Sequence, residues 1–466
     1  MPVVETEPYR ASRLFIERAT GQTYPSIADI PGRRGVDPRT LPVFLRLGYV
    51  PGTATLWEGV DLLPGGCRIE TAPGGWKVLS KRRFADEIDR ERWARTPWDE
   101  LVRVGGQLLV EAAAARLEPG SRPIVPLSGG LDSRALLGCL REQRESASIE
   151  TFTYGTPGGL DFDVGNLVGR AAGTRHLALD LRTAEITADA LAETARRTGA
   201  NTDLFQPVQW TRVLGIYGPE AVYWSGYTGD GVGGSFWRPD GPPDGSVAAF
   251  LRFESRSIPL VPASEQDNAR DAALVDADPK WRGTMSHDEA VWFENHVERY
   301  TAHHIFFDGA RYALPFMDDA FVRFMLSVPP EHRRDKRLFD AIVTARFPDL
   351  FRLPTAGYGY KLAGRRAADL AWRARLNARK IVARASRGRL ATHPGTTYLD
   401  FADGIRRRPG MRALVRGSLD ALAARDIVDR ELIERTWREH EAGKERRFAL
   451  TLLASLEHML RALADA

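Results

Sequence analysis

The chain of 466 residues is 43% hydrophobic and 27% charged, which provides enough apolar sequence for two or three domains with their own cores. No apolar run reaches the length of a membrane span, and the first residues lack the zones of a signal peptide, so we expect a cytoplasmic protein that binds no membrane. Cys67 and Cys139 are too few for a disulfide framework or a thiolate metal site. The net charge is only +4, and the absence of a basic strand with interleaved aromatic residues disfavours a nucleic-acid partner.

The first part of the chain, residues 1–95, is predicted to form a small α+β unit. Residues 37–50 carry apolar side chains at helical spacing and start with Asp37, a favourable capping residue. Short strands punctuated by proline and glycine follow, and the Pro-Gly-Gly run at 73–75 is typical of a hairpin. No obvious catalytic set lies in this part.

A predicted helix over residues 93–118 leads into a strand, a glycine-rich turn and a helix at 124–140. The turn has the sequence Ser-Gly-Gly-Leu-Asp-Ser and occupies 128–133. Gly129 and Gly130 allow a sharp turn and a close approach to a ligand, and the amides at the start of the helix carry the positive end of its dipole. The turn is therefore predicted to bind an anion.

The polar residues of this turn indicate which anion it binds. Ser128 and Ser133 add hydroxyl donors, and no lysine follows the glycines as it does in a Walker A loop. Asp132 is a carboxylate, and a carboxylate beside a phosphate cradle indicates a Mg²⁺ between them. The alternative is an ordinary strand-to-helix turn, where glycines are common.

Alternating strands and helices continue after the turn and predict a parallel sheet in an α/β fold. Strands are predicted at 148–155 and 176–181. Helices are predicted at 163–172, with a cap near Asp161, and at 187–198.

A second strand with a glycine-rich turn is predicted at 220–234, and this turn contains one acidic residue, Asp230. In a doubly wound parallel sheet, two such turns at the carboxyl ends of strands face one crevice. Asp132 and Asp230 are therefore predicted to bind the same Mg²⁺, although a lone aspartate in a glycine-rich loop is usually a turn former.

Four landmarks, taken together and in order, make the chain resemble the asparagine synthetase family, whose first loop is the PP-loop of the N-type ATP pyrophosphatases. They are SGGLDS at 128–133, FTYG at 152–155, SGYTGDGVGG at 225–234 and PFMD at 315–318. The resemblance covers residues 42–362 and implies a doubly wound, adenine nucleotide α-hydrolase-like fold. The domains that it implies are a truncated amidotransferase-like domain at 1–95, an ATP-pyrophosphatase synthetase domain at 96–365 and a helical C-terminal region at 366–466.

Site residues follow from the resemblance, position by position. It assigns the ATP contacts to Leu127, Ser128, Gly129, Gly130, Leu131, Asp132 and Ser133, to Tyr154 at the adenine, and to Ser225 and Gly226 in the second loop. Asp132 and Asp230 match the magnesium-binding acids. The family also has a lysine after a Leu-Pro pair that stabilises negative charge on the α phosphate and the tetrahedral intermediate. Lys361 fills this place after Pro354, with a spacing one residue shorter than expected.

The chain departs from the glutamine-dependent members of the family at its start. Those members carry a cysteine after Met1, and Pro2 stands there in this chain. Neither Cys67 nor Cys139 has a free α-amine to replace it, so we expect that glutamine does not serve as nitrogen donor by the usual route.

Tyr227 is the second departure, because asparagine synthetases proper have a glutamate at this place. A tyrosine resembles the β-lactam and carbapenam synthetases, in which a Tyr-Glu pair is the base for an intramolecular amine. The alternative is that Tyr227 only packs over the nucleotide. Glu254 and Glu265 lie at plausible distances for the glutamate partner, and the sequence does not choose between them.

The resemblance implies an ATP-dependent, AMP-forming carbon-nitrogen ligase that adenylates a carboxylate and transfers it to an amine. The substrates would be a small-molecule or peptide carboxylate and an amine of a specialised pathway. The alternatives are an ammonia-dependent asparagine synthetase, or one served by a separate glutaminase, and a nucleotide-binding protein without catalysis.

Four other features carry two interpretations each. The arginine-rich stretch 365–389 is either a solvated amphipathic helix or a docking face for an acidic partner or leader peptide. His303 and His304 are predicted to pack rather than to form an i, i+4 metal pair. Arg311 contacts either a substrate anion or a structural carboxylate, and Asp318 is predicted to cap a helix.

Overall fold

The computed structural model describes residues 1–236, 246–255, 260, 264–386 and 388–464. The strands in this part of the chain are β1 Val3–Glu5, β2 Phe15–Glu17, β3 Thr23–Tyr24, β4 Val60–Leu62, β5 Cys67–Ala72, β6 Gly75–Lys81, β7 Pro123–Pro126, β8 Glu150–Gly155, β9 Arg175–Asp180, β10 Val222–Trp224 and β11 Arg311–Ala313.

The helices before β11 are α1 Leu41–Leu47, α2 Arg90–Ala94, α3 Trp98–Ala114, α4 Asp132–Gln143, α5 Leu160–Ala171, α6 Ala188–Thr198, α7 Gln209–Tyr217, α8 Gly229–Gly233, α9 Ser246–Glu254, α10 Glu265–Ala272, α11 His287–Trp292 and α12 Ala302–Ile305, with a π-helix, Phe293–Thr301, between the last two. The helices after β11 are α13 Asp319–Ser327, α14 Pro330–Arg333, α15 Arg337–Arg346, α16 Pro348–Phe351, α17 Arg366–Ala385, α18 Phe401–Arg407, α19 Pro409–Ala424, α20 Arg430–Glu441 and α21 Arg447–Leu463.

A five-stranded sheet in the order β11-β10-β7-β8-β9 forms the centre of the molecule, and each pair of neighbours is parallel. The chain runs from β7 outward through β8 to β9, then returns to the other side of β7 with β10 and continues to β11. The strand order therefore reverses between β7 and β10. A crevice forms at such a point, outside the carboxyl ends of the strands, and both glycine-rich turns lie there.

Helices and loops cover both faces of this sheet, which explains why its strands are apolar without a simple alternation. Val125 and Trp224 belong to the core on one face, whereas Ile124, Phe152 and Tyr223 belong to the core on the other. The prediction of an α/β protein with a parallel sheet is confirmed.

Most predicted elements around the first loop are present, but several boundaries differ. The helix predicted at 37–50 is only α1, and its N-cap is Thr40, because Asp37 instead accepts hydrogen bonds from Arg39. The helix predicted at 93–118 is divided into α2 and α3 at Pro97, whose ring is incompatible with a helix interior.

The N-terminal residues form two small antiparallel sheets, β1-β5-β6 and β3-β2-β4. Strands β5 and β6 form the predicted hairpin at the Pro-Gly-Gly run. An apolar core joins side chains of the second sheet, such as Phe15 and Leu62, to Leu191 on α6 and to Leu453 on α21. The N-terminal and C-terminal regions therefore pack on the central part through shared apolar side chains.

The arginine-rich helix α17 is exposed along most of its length, and Ala383 is its buried residue. Leu370 and Ile381 on it are 69% and 67% exposed. No described helix is long and apolar enough to cross a membrane.

Candidate active site

The two glycine-rich loops pack directly against each other at the reversal point of the sheet. A Cβ atom at Gly226 would lie 2.9 Å from the Cβ of Asp132, and one at Gly229 would lie 2.9 Å from its Cγ. Glycine at these two places allows the second loop to approach the first. The sequence prediction that both loops face one crevice agrees with this contact.

A cavity of about 570 Å³ opens over the two loops. Its lining includes the first loop from Ser128 to Ser133, Tyr154 near the carboxyl end of β8, the second loop from Ser225 to Thr228, and Asp230. The structure thus brings together most of the residues that the resemblance assigns to ATP. Leu127 is buried directly beneath, and its amide donates to the carbonyl of Phe152 on β8 at 2.8 Å.

The first loop is stabilised by hydrogen bonds among its own atoms. The amide of Ser128 donates to Oγ of Ser133 at 3.2 Å, and the amide of Gly130 donates to Oγ of Ser128 at 3.1 Å. The amide of Gly129 donates to Asp161 at 3.2 Å. Helix α4 begins at Asp132, so its dipole favours an anion in front of the loop.

Lys336 connects the two predicted acids, and the sequence analysis missed it. Its Nζ donates to Oδ1 of Asp132 at 2.7 Å and to Oδ1 of Asp230 at 2.9 Å. The Lys336 side chain is 5% exposed, whereas that of Asp230 is 59% exposed toward the cavity. One signal was available: only seven of the 65 basic residues in this chain are lysines, so each lysine is unusual.

The ionisation of this cluster is set by burial and by Lys336. Burial raises the pKa of Asp132 to about 7, although the Lys336 ammonium opposes the rise. Partial loss of water in the cavity also opposes the charged form of Asp230, but Lys336 holds the pKa of Asp230 below its usual value. The two carboxylates raise the pKa of Lys336 despite its burial. Two carboxylates around one ammonium are close enough to share a proton or a cation.

Asp132 and Asp230 fit the protein's share of a Mg²⁺ site. Mg²⁺ is commonly held by one or two carboxylates together with phosphate oxygens and water, and the two aspartates provide that number on one side of the cavity. The described residues contain no group of three or more histidine, cysteine or acidic side chains that could hold a metal alone.

Tyr154 and Tyr398 lie together at the side of the cavity nearest β8. Their ring centroids are 5.4 Å apart, and Thr156 donates to the carbonyl of Tyr398 at 2.7 Å. Tyr398 comes from the C-terminal region, so this region completes the cavity beside the residue assigned to adenine. The adenine contact itself stays a prediction.

Tyr227 lines the cavity, but its hydroxyl points into the protein. The hydroxyl donates to the carbonyl of Tyr9 at 3.1 Å and lies 3.4 Å from that of Val297, and its ring meets Phe306 edge-on. Burial, reinforced by the charge of Glu298, raises the pKa of Tyr227 well above its usual value. This arrangement favours the packing alternative over the base, because a base needs an accessible oxygen.

The two candidate glutamate partners do not contact the Tyr227 hydroxyl. Glu254 is buried and accepts hydrogen bonds from Tyr49, at 3.0 Å, and from Nε1 of Trp292, at 3.1 Å. Glu265 is exposed in the first turn of α10. The identity of a partner glutamate stays open.

Lys361 lies on the rim of the cavity rather than in its lining. Its neighbours Thr355, Gly357 and Tyr358 line the cavity, whereas Lys361 itself is exposed. Its charge acts on Asp340, where burial raises the pKa to about 6 and Lys336 and Lys361 oppose the rise.

The remaining candidates have structural partners. Arg311 forms an exposed ion pair with Glu118 at 2.7 Å, and Asp318 caps α13 by accepting from the amide of Ala320. His303 packs against the carbonyl of Thr198, and His304 lies 2.6 Å from Oγ1 of Thr202.

Comparisons with known proteins agree with these landmarks. Residues 106–207 match the family model Asparagine synthase, a segment that includes the first loop. A segment of 187 residues is 26% identical to the carboxyethyl-arginine beta-lactam-synthase of Streptomyces clavuligerus; the match covers 40% of this chain and 36% of that protein. The chain therefore spans about a third of the length of this curated relative. Both comparisons confirm the resemblance to the asparagine synthetase family that was found in the sequence, and the second one is a similarity to a β-lactam synthetase.

Proposed function

We propose that this protein is an ATP-dependent, AMP-forming ligase that joins a carboxylate to an amine. The main observation behind this proposal is the cluster of Asp132, Asp230 and Lys336 beneath two glycine-rich loops, at the point where the strand order of the parallel sheet reverses. This arrangement suits a triphosphate with a divalent cation, and the match to a synthase that forms a β-lactam ring supports amide chemistry. The adenine nucleotide α-hydrolase-like fold is part of this proposal.

The reaction has two steps. In the first, a substrate carboxylate oxygen attacks the α phosphorus of ATP, and the bond from this phosphorus to the bridging oxygen breaks, which releases pyrophosphate and gives an acyl adenylate. In the second, the amine nitrogen attacks the acyl carbon, the carbon–oxygen bond to AMP breaks, and the amine loses a proton. Mg²⁺ would neutralise charge on the phosphate oxygens when bound.

Different residues of this chain have different roles in the two steps. The amides of the loop at 128–133 and the dipole of α4 hold the pyrophosphate. Asp132 and Asp230 would hold the cation, and Lys336 orients the two carboxylates and adds a positive charge. Lys361, on the rim, is the lysine that the family resemblance assigns to charge on the α phosphate and the tetrahedral intermediate. The α17 face stays a proposed docking site for an acidic partner.

Exchange of labelled pyrophosphate into ATP tests the proposal, because it reports the first step alone. The exchange is expected to depend on Mg²⁺ and on an added carboxylate, and AMP is expected once an amine is present. Tight ATP binding without exchange for any carboxylate would instead support a nucleotide-binding protein without catalysis.

A further inference from the structure

We propose that one wall of the cavity binds the organic group of the carboxylic acid substrate, and that this wall selects an uncharged, aromatic or aliphatic group. We call this surface the substrate wall; it consists of Trp210, Trp292, Val297, Thr301, His304 and Ile305. The inference rests on the proposed function and adds the chemical class of the acid.

The position of the substrate wall follows from the two sides of the sheet reversal. The first loop follows β7, and Tyr154 lies near the carboxyl end of β8; the proposed function places the phosphates and the adenine there. Most of the substrate wall comes from residues 292–305, which comprise the π-helix, the residue before it and α12. This stretch ends shortly before β11. The reacting carboxylate must reach the α phosphate from the unoccupied side of the cavity, and this wall lines that side.

The π-helix and the residue before it place three of these side chains along the cavity. Trp292 precedes the π-helix, Val297 lies five residues later, and Thr301 is the last residue of the π-helix. A helix with i→i+5 hydrogen bonds has wider turns than an α-helix, and such segments occur frequently at functional sites. Two side chains contact backbone oxygens of this segment. The hydroxyl of Tyr227 lies 3.4 Å from the Val297 carbonyl, and Nδ2 of Asn201 donates to the Arg299 carbonyl at 3.2 Å.

The substrate wall carries no charge of its own. The charged side chains among the described lining residues are Asp132, Asp230 and Lys336, and these three are paired with one another. Burial lowers the pKa of His304 to about 3, so its ring is neutral, and its Nε2 is 2.6 Å from Thr202. Trp292, which lines the cavity, donates from its Nε1 atom to Glu254, and its ring stacks on His296.

An uncharged wall discriminates between acids by desolvation. A substrate group that keeps an ammonium, a guanidinium or a second carboxylate would lose water here without gaining an ion pair. An apolar group gains about fourfold in affinity for each buried methylene group. An amino acid such as aspartate, whose α-amino group is charged, therefore fits this wall poorly.

The test is pyrophosphate exchange by the full chain, with ATP, Mg²⁺ and acids of similar size. N-acetyl-phenylalanine, N-acetyl-leucine and 3-phenylpropanoate are the apolar probes; aspartate, N-acetyl-glutamate and N-acetyl-arginine are the charged ones. The apolar acids are expected to give at least about tenfold higher kcat/KM. Higher kcat/KM for the charged acids would overturn the inference and leave the proposed function intact. If ATP binds but none of these acids supports exchange, the result would count against the inference and against the proposed function.

Thr301→Lys tests whether the substrate group contacts the substrate wall. A lysine there is expected to shift the preference at least about tenfold toward N-acetyl-glutamate, because the new ammonium supplies an ion-pair partner. Thr301→Val, of similar shape, is expected to keep the apolar preference. Thr183→Lys places the same charge on an exposed threonine outside the cavity lining and controls for net charge. An unchanged preference in folded Thr301→Lys would overturn the inference.

A second variant covers the case in which Thr301→Lys does not fold. Ile305→Ala makes room in the substrate wall and is expected to raise the relative kcat/KM of acids larger than N-acetyl-phenylalanine. An equal loss for acids of every size would contradict a direct contact with the substrate.

Discussion

Asp132 and Asp230 belong to different loops, yet both accept a hydrogen bond from one atom, Nζ of Lys336. Two neighbouring carboxylates repel each other, and a buried ammonium between them removes much of this repulsion. Lys336 therefore determines how closely the acids approach each other before any cation binds.

Lys336→Met is expected to reduce pyrophosphate exchange at least about a hundredfold, because the acids lose their common partner and the phosphates lose a positive charge. It is also expected to lower thermal stability, since a buried acid is left without its cation. Exchange and thermal unfolding of the same preparations measure both effects. Wild-type exchange in this variant would show that Lys336 is only structural.

Lys361→Met is the matched change at an exposed lysine. It is expected to slow both exchange and amide formation at constant thermal stability, because the side chain makes no buried contact but carries the charge that the family resemblance assigns to both steps. Rates equal to those of the unmodified chain would contradict a role for this lysine.

Asp132→Asn and Asp230→Asn are expected to abolish Mg²⁺-dependent pyrophosphate release while circular dichroism shows a retained fold. An amide keeps the shape of the side chain but binds a hard cation poorly. Asp349→Asn, at an exposed aspartate paired with Arg141, is the control and should be active. Activity in either of the first two variants would exclude a shared cation site.

Tyr227→Phe is expected to lower the free energy of unfolding by about 1 kcal/mol, the usual contribution of a lost hydrogen bond. Exchange and amide formation should fall together, because the hydroxyl donates to backbone oxygens. A loss of about a hundredfold in amide formation alone would instead favour the base that the comparison with β-lactam synthetases implies.

His458, on α21 and facing Ser418 of α19, makes stability depend on pH. Burial lowers its pKa to about 4, and Nε2 lies 3.1 Å from Oγ of Ser418. The unfolded state, with a pKa of about 6.5, binds more protons, so stability is present above pH 6.5 and is lost as pH falls toward 4. Urea unfolding at pH 7 and pH 5 should therefore show a smaller loss in His458→Gln than in the unmodified chain. Equal losses would contradict this assignment.

The local sequence predicted the centre of the fold well, because the conformation of a buried strand and of the glycine-rich turn after it depends mainly on residues that are close in sequence. The strand before Ser128 and the turn that contains Asp230 are examples. The prediction of one helix over residues 93–118 was wrong at Pro97, where a local signal for the break between α2 and α3 was overlooked.

Contacts between residues that are far apart in the sequence could not be predicted from the sequence. Nothing near Lys336 shows that its ammonium meets residues 132 and 230, and the acceptors of Tyr227 lie at positions 9 and 297. The π-helix is equally hidden, because its apolar residues fit an α-helix almost as well. These features depend on tertiary packing, which a single sequence does not specify locally.

The segment after β1 contacts the π-helix and the residues that follow α12. Arg10 lies 3.5 Å from Glu298, with both side chains at most 2% exposed, and Arg13 donates to the carbonyl of Phe306 at 3.2 Å. A buried charge cannot change without its partner. Glu298 also pairs with the buried Lys280. During evolution, substitutions at positions 10, 280 and 298 should therefore occur together, so that changes in the N-terminal region are linked to changes in the π-helix beside the substrate wall.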